Sequence, residues 1–206
     1  MTAMGKVIVN EFMSLDGVVQ SHGDADEDTS GGFAHGGWHM PYFDAISWGW
    51  QVGHLSSAGG LLLGRRTYDI LARYWPSAPA AERDLADVLN MLPKHVISRT
   101  LVEPLTWNNA RLVTGPLLPA IRELKRVDSG DLHVLGSADV VGQLIKHNLV
   151  DTYRLMIDPV LLGGGKRIFR DDATVRVLRL QDTQIAPSGA VVLTYTTTGG
   201  AAAAPG

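Results

Sequence analysis

The chain has 206 residues, of which 45% are hydrophobic, and its formal net charge is −3. This size and composition suit one globular domain, placed at residues 1–196, followed by a low-complexity tail at 197–206 that we expect to be disordered. The slightly acidic balance and the lack of a Lys/Arg run argue against nucleic acid and anionic membranes as partners. The absence of cysteine excludes disulfides, zinc–thiolate sites and cysteine nucleophiles. No apolar run reaches the ~18 residues of a membrane span and no signal peptide is visible, so we expect a cytoplasmic protein.

Apolar runs and helical spacing predict that strands and helices alternate along the chain. The predicted strands are 6–12, 61–63, 94–97, 111–113, 132–135, 153–162, 175–180 and 190–196, and the predicted helices are 41–57, 65–72, 80–92, 117–127 and 138–148. This alternation implies an α/β fold with a mostly parallel central sheet flanked by helices. The last two strands add a C-terminal antiparallel hairpin, with residues 187–189 as its turn.

Glycine, hydroxyl and arginine residues follow three of these strands, at Gly64–Thr67, Ser98–Thr100 and Gly136–Ser137. Ser137 is predicted to cap the helix that begins at Ala138. Helix N-termini favour anions, and arginine binds phosphate through two parallel hydrogen bonds. Ligands of parallel sheets lie outside the carboxyl ends of the strands. Each turn alone is also typical of an ordinary connection, but their repetition predicts a site for an anionic ligand with more than one phosphate.

The segment 20–40 is polar and rich in glycine and histidine, and a loop of this length in a compact domain is usually functional or disordered. Asp24, Asp26 and Asp28 resemble part of a calcium loop. However, Thr29 stands where such a loop needs glycine, and the bidentate glutamate is missing. We therefore predict no metal site and interpret the segment as a lid.

Together these motifs resemble the reductase family that shares the dihydrofolate reductase fold, in the branch named for the C-terminal domain of the bifunctional riboflavin-pathway deaminase-reductase. The resemblance extends from Lys6 to about Tyr195. It rests on five stretches, which are Ser14–Gly17, Gly64–Tyr68, Ser98–Arg99, Gly136–Ala138, and Leu149–Asp151 leading to Pro159–Gly163.

The resemblance implies a stand-alone, homodimeric reductase that takes its hydride from NADPH. The implied ligands of the adenosine 2′-phosphate and its neighbouring phosphates are Gly64, Arg65, Arg66, Thr67, Ser98 and Arg99. The implied pyrophosphate site is Gly136, Ser137, Ala138 and Asp139. Asp16 and Gly17 are expected near the nicotinamide.

Two departures from the family pattern leave the substrate open. Leu135 stands where riboflavin-pathway reductases usually have an acidic residue, just before the glycine of the last phosphate loop. The zinc deaminase half, whose ligands include cysteine, is also missing. We therefore expect a small heterocyclic or carbonyl substrate, without excluding a pterin or a pyrimidine.

The groups that act on the substrate are predicted around the end of the segment 20–40. Trp38 and Tyr42 are expected to contact the substrate, and the proton donor is expected to be Asp16, Asp44, Tyr42 or a bound water. Because none of these is a clear general acid, a second hypothesis stays open. In it the chain is a non-catalytic NADP(H)-binding sensor or scaffold that kept the phosphate loops without a substrate pocket.

Overall fold

The structure is a computed structural model that describes residues 4–127 and 130–198. The strands within them are β1 (Val7–Ser14), β2 (Gly60–Gly64), β3 (Lys94–Ile97), β4 (Ala110–Val113), β5 (Leu132–Leu135), β6 (Thr152–Asp158), β7 (Leu178–Ile185) and β8 (Val191–Thr197). The α-helices are α1 (Ala45–Leu55), α2 (Arg65–Tyr74), α3 (Arg83–Met91), α4 (Leu117–Val127) and α5 (Ala138–Lys146), and short 3-10 turns lie at Ser30–Gly32, Met40–Tyr42, Trp75–Ser77 and Ala80–Glu82. The predicted disordered tail falls outside the described residues from 199 onward.

The eight described strands form a single sheet in the order β4-β3-β2-β5-β1-β6-β8-β7. Every pairing among β1 to β6 is parallel, whereas β8 is antiparallel to both β6 and β7. The predicted α/β fold, with a mostly parallel sheet and a C-terminal antiparallel hairpin, is therefore confirmed. β1 lies near the middle of the sheet between β5 and β6, and its whole length is buried.

Helices cover the sheet on both faces. Successive strand side chains point to opposite faces, and β2 shows this alternation clearly. Leu62 packs in an apolar cluster with Val141 of α5, whereas Leu61 and Leu63 pack in another cluster with Leu85 of α3. Burial on both faces fixes the position of each strand and so the place where its carboxyl end reaches the edge of the sheet. None of the described helices is long and apolar enough to cross a membrane.

The first helix begins later than the prediction of 41. Phe43 has an extended backbone with φ −69° and ψ 122°, and Asp44 is the N-cap of α1. Its carboxylate accepts hydrogen bonds from the N–H groups of Ile46 and Ser47 at 2.9 and 3.0 Å. Pro41 instead belongs to the short 3-10 turn before this cap.

Two strand boundaries near the C-terminus were also predicted wrongly. β6 ends at Asp158 rather than 162, because Pro159 has no N–H to donate to a strand ladder. β7 is Leu178–Ile185 rather than 175–180. Seven of its eight residues are exposed at the edge of the sheet, so its apolar residues do not mark its limits.

Candidate functional site

A cleft of about 1260 Å³ runs along the carboxyl ends of the parallel strands. One half is lined by the ends of β2, β3 and β5 and by the first turns of α2 and α5. The other half is lined by β1, by residues 20–30 and by α1. Small-molecule pockets usually measure ~300–1,000 Å³, so this cleft has room for an extended ligand and a second molecule beside it.

Ten residues in the turns after three strands are predicted to bind phosphates. All ten line this cleft. They are Gly64, Arg65, Arg66, Thr67, Ser98, Arg99, Gly136, Ser137, Ala138 and Asp139. They meet because β3, β2 and β5 are adjacent and parallel, so the chain leaves each strand at the same edge of the sheet.

Ser137 connects the turn after β2 with the turn after β5. Its Oγ accepts the N–H of Gly64 at 2.7 Å and shares a hydrogen bond with Oγ1 of Thr67 at 2.6 Å. The prediction that its side chain caps α5 is therefore wrong. Ser137 does occupy the N-cap position, but with a left-handed backbone (φ 64°) and without a capping hydrogen bond. Gly64 likewise leaves the N-terminus of α2 without a side-chain cap. Two helix N-termini without side-chain caps therefore lie at one cleft, an arrangement that favours anions.

Arg65 and Arg99 place positive charge at the mouth of the cleft. The Nη1 of Arg65 donates to Oγ1 of Thr100 at 2.5 Å, and its Nε lies 3.4 Å from a carboxylate oxygen of Asp69. The side chain of Arg65 is still 53% exposed, and Arg99 is exposed as well. The hydroxyl of Ser98, in contrast, accepts backbone N–H groups of its own turn, so it shapes the turn.

Arg66 and Lys166 hold the segment 20–40 against the cleft. The Nη1 of Arg66 donates to Asp28 at 2.8 Å and to Oγ of Ser30 at 2.5 Å, while Nζ of Lys166 donates to the second oxygen of Asp28 at 2.6 Å. Burial raises the pKa of Asp28, but hydrogen bonds from Lys166, Ser30 and Arg66 outweigh burial and lower the pKa to about 2. Asp28 is therefore an ionised carboxylate that ties the predicted lid to α2.

Asp16 and Gly17 lie outside the residues that line the cleft. Asp16 accepts hydrogen bonds from Oγ of Ser14 at 2.7 Å and from the N–H groups of residues 162 and 163 at 3.1 and 2.9 Å. It also pairs with Nη2 of Arg167 at 3.1 Å. The bond from Ser14 is the largest of the causes that lower its pKa to about 2. The geometry gives Asp16 a structural role, and its place beside a nicotinamide stays a prediction.

Replacing Asp16 with alanine is expected to lower the free energy of unfolding by about 1–2 kcal/mol at pH 7, because charged hydrogen bonds are lost. The folded-state pKa lies below the ordinary value of 3.8, so this stabilisation is present above that pH and fades towards pH 2. Urea unfolding of Asp16→Ala at pH 7 and at pH 2.5 measures both effects, with Asp87→Ala on α3 as an exposed control. NADPH affinity reduced at least tenfold in Asp16→Ala would instead place this carboxylate at the cofactor.

The other predicted catalytic and substrate residues also lie outside the cleft lining. Asp44 serves as the cap of α1; burial raises its pKa, but hydrogen bonds, including those from Ser47 and Ile46, lower it overall. The Nε1 of Trp38 donates to the carbonyl of Gln20 at 2.8 Å, and its indole is buried. Tyr42 ends a 3-10 turn. The structure does not bring these residues to the cleft.

The second half of the cleft is formed by residues that the sequence did not single out. They are Glu11 and Phe12 on β1, His22 in the segment 20–40, and Trp50, Gln51 and His54 on α1. The available signal was an Asn-Glu pair near the carboxyl end of an otherwise apolar strand, the place where ligands of parallel sheets bind.

Burial keeps the imidazoles of this second half neutral. Burial lowers the pKa of His22, and the opposing effect of Glu27 does not reverse the shift. Burial and then the charge of Arg154 lower the pKa of His54 to about 4. At pH 7 these two imidazoles therefore carry no positive charge, whereas the other half of the cleft contains the cations of its arginines. Among the described residues, no group of three or more His, Asp or Glu side chains could hold a metal ion.

The family model for the RibD C-terminal domain matches residues 5–194. The chain belongs to this reductase family. It is also 32% identical over 143 residues to the uncharacterized protein YyaP of Bacillus subtilis (strain 168), a match that covers 68% of this chain and 75% of YyaP.

Two solved structures show that the fold is that of dihydrofolate reductase. A putative riboflavin biosynthesis protein from Shewanella sp. PV-4 aligns with a TM-score of 0.68 at 21% identity, covering 94% of this chain and 99% of that protein. Dihydrofolate reductase from Enterococcus faecalis, complexed with NADP(H) and RAB-propyl, aligns with a TM-score of 0.61 at 12% identity and covers 95% of this chain and 98% of that protein. The predicted family and fold are confirmed.

Proposed function

We propose that this protein is an NADPH-dependent reductase of a small heterocyclic or carbonyl compound, a class that includes pterins and pyrimidines. The observation that carries the proposal is the meeting of three strand ends at one cleft. There, two helix N-termini without side-chain caps and the exposed cations of Arg65 and Arg99 line the same half. The Enterococcus faecalis neighbour, which is described as complexed with NADP(H), supports a cofactor of the same type.

The residues of this half fit a dinucleotide that carries phosphates. In this half of the cleft the turns after β2 and β5 pack closely, so that a Cβ on Gly64 would lie 2.5 Å from Oγ of Ser137. Gly136, in the second of these turns, has a φ of +57°. The N-terminus of α5 at Ser137–Asp139 would hold the pyrophosphate, and Arg65 with Arg99 would hold the 2′-phosphate. Bound NADPH would supply the hydride, while the chain binds and orients the cofactor and excludes water.

The second half of the cleft supports a separate, uncharged substrate. Neutral His22 and His54 lie there with the aromatic rings of Phe12 and Trp50. Its surface suits a planar and weakly polar molecule. A sensor or scaffold without a substrate pocket does not explain the carboxyl group of Glu11 in this half, so the reductase is the better proposal. The homodimer and the cytoplasmic location stay predictions.

Tryptophan fluorescence tests cofactor binding directly, because Trp50 and Trp75 line the cleft. NADPH is expected to quench the emission with a micromolar Kd. The double variant Trp50→Phe/Trp75→Phe is expected to lose most of the change, whereas Trp48→Phe, at a residue outside the cleft lining, keeps it. An unchanged spectrum, together with no heat of binding up to millimolar NADPH, would refute both the reductase and the sensor.

A further inference from the structure

Glu11 lies where the central strand emerges into the cleft. β1 pairs with β5 only as far as Asn10 and Leu135, whereas its pairing with β6 continues to Ser14. Glu11 is the first residue of β1 beyond the end of β5, and it lines the cleft with only 3% of its surface exposed. Its carboxyl group is therefore close to a bound ligand yet almost removed from water.

Several polar atoms of the cleft lining lack hydrogen-bond partners. Within the described residues, Oδ1 of Asn10, Oε1 of Glu11 and Nε1 of Trp50 are buried without a hydrogen bond, and all three residues line the cleft. Unpaired buried polar atoms are costly, so three of them along one cleft indicate groups that bound ligands satisfy. Asp16 and Asp28 show the contrast, because each of these carboxylates accepts several hydrogen bonds and pairs with a cation.

The charges near Glu11 do not favour its ionised form. The titratable and charged groups on the surrounding elements are His133 on β5, Tyr153, Arg154 and Asp158 on β6, His22, Asp24, Asp26, Glu27, Asp28, His35 and His39 in the segment 20–40, His54 on α1, and Asp139 and Lys146 on α5. Burial first, and the negative charge of Glu27 second, raise the pKa of Glu11 well above its ordinary value of 4.5. The carboxyl group therefore keeps its proton at a pH where exposed glutamates have lost theirs.

We propose that Glu11 is the catalytic acid that protonates the substrate, a role that rests on the proposed reductase function. Reduction of a C=N or C=O bond needs two electrons, delivered as hydride by the reduced nicotinamide dinucleotide, and one proton. The O–H bond of Glu11 breaks as the new N–H or O–H bond of the product forms. The dinucleotide is oxidised, and the Glu11 carboxylate regains a proton from solvent at the mouth of the cleft.

This assignment also defines the chemical class of substrate. A protonated carboxyl group donates to a lone pair, so the reacting bond carries an accepting nitrogen or oxygen. An anionic substrate is disfavoured because Glu27 also lines the cleft. The structure thus favours an uncharged compound whose reacting bond contains the acceptor that receives the proton.

The test compares wild type with Glu11→Gln, Glu11→Asp and the control Glu123→Gln on the exposed face of α4. NADPH affinity is measured first, and oxidation of NADPH is then followed with a panel of pteridines, pyrimidines, quinones and aldehydes. Glu11→Gln is expected to keep the NADPH Kd within about threefold while kcat falls at least 100-fold, the contribution typical of a general acid. Glu11→Asp is expected to recover part of kcat, and the wild-type kcat is expected to fall at high pH as Glu11 ionises.

The outcomes of the kinetic test separate the two proposals. If wild type fails to bind NADPH or reduces none of the panel, the reductase and the role of Glu11 both fail. If wild type turns over and Glu11→Gln keeps its kcat and pH profile, only the assignment of Glu11 fails.

A measurement that needs no substrate checks the protonation of Glu11. The folded-state pKa is raised, so Glu11 stabilises the fold fully below its ordinary pKa of 4.5, and this contribution is lost as the pH rises through the folded-state pKa. The Tm of Glu11→Gln relative to wild type is therefore expected to rise between pH 4 and pH 8. Infrared difference spectra are expected to show a protonated carboxyl band that persists above the pH at which exposed glutamates ionise and that only Glu11→Gln removes. A Tm difference independent of pH, or an absent band, would overturn the proposal.

Discussion

Replacing both Arg65 and Arg99 with alanine is expected to weaken NADPH binding about 150-fold and to leave NADH binding almost unchanged. The two guanidinium groups lie at the ends of β2 and β3, at the exposed mouth of the cleft. Hydrogen bonds to charged groups contribute about 1.5–3 kcal/mol each, so two contacts to the 2′-phosphate amount to at least about 3 kcal/mol. Calorimetric titration of each variant with both cofactors measures the difference.

Arg73→Ala supplies the matched control for this experiment. Arg73 is an exposed arginine in the last turn of α2, away from the cleft lining, so its removal changes the net charge by the same amount per residue. It is expected to leave both affinities within about twofold, the range left for long-range electrostatics at physiological salt. Equal weakening of NADPH and NADH by Arg65→Ala/Arg99→Ala would remove these arginines from the 2′-phosphate site.

The second large effect is expected when alanine replaces Gly64 and so adds a single methyl group. A Cβ there would lie 2.5 Å from Oγ and 2.9 Å from Cβ of Ser137, and 3.1 Å from Cγ2 of Val140. The backbone of Gly64, with φ −79° and ψ 162°, suits alanine, so the cost arises from these close contacts and not from backbone strain. Gly64→Ala must push the N-termini of α2 and α5 apart. We expect a loss of about 1–3 kcal/mol in the free energy of unfolding and at least 100-fold weaker NADPH binding.

Two further variants control for general destabilisation. Gly49→Ala places a methyl group on α1 where nothing lies within 4 Å, and it is expected to stabilise the fold by up to about 1 kcal/mol. Ser137→Gly removes the crowding side chain at a position whose φ of 64° suits glycine. Added to Gly64→Ala, it is expected to restore part of the lost stability, a coupling that a double-mutant cycle measures. Wild-type NADPH affinity in Gly64→Ala would show that the cofactor does not bind at this junction.

The arginine-lined half of the cleft was predictable from the sequence because its signals are local. Glycine, hydroxyl and arginine residues stand directly after apolar runs, and alternating helices make those runs parallel strands. Parallel strands that lie side by side end at one edge, so Gly64, Ser98 and Ser137 could be expected to meet. The use of the Ser137 hydroxyl as an acceptor for another turn could not be predicted, because it depends on contacts between residues 73 positions apart.

The second half was missed because its residues are defined by tertiary geometry. Glu11 faces a cleft only because β5 ends at Leu135 while β1 continues alongside β6. Trp50 and His54 lie on a helix whose spacing marks an inward face without showing which part of it packs and which part lines a cavity. Asp16 matches the family motif, but the hydrogen bonds that its carboxylate accepts from the loop at residues 162 and 163 depend on tertiary contacts that the sequence does not show.

A crystal structure with NADP⁺ is the most direct test of where the cofactor binds. The pyrophosphate is expected at the N–H groups that begin α5 after Ser137, with the 2′-phosphate within hydrogen-bond distance of Arg65 or Arg99. The nicotinamide is expected on the side of the cleft that contains Glu11. Density for the phosphates at any site away from the carboxyl ends of β2, β3 and β5 would contradict this assignment.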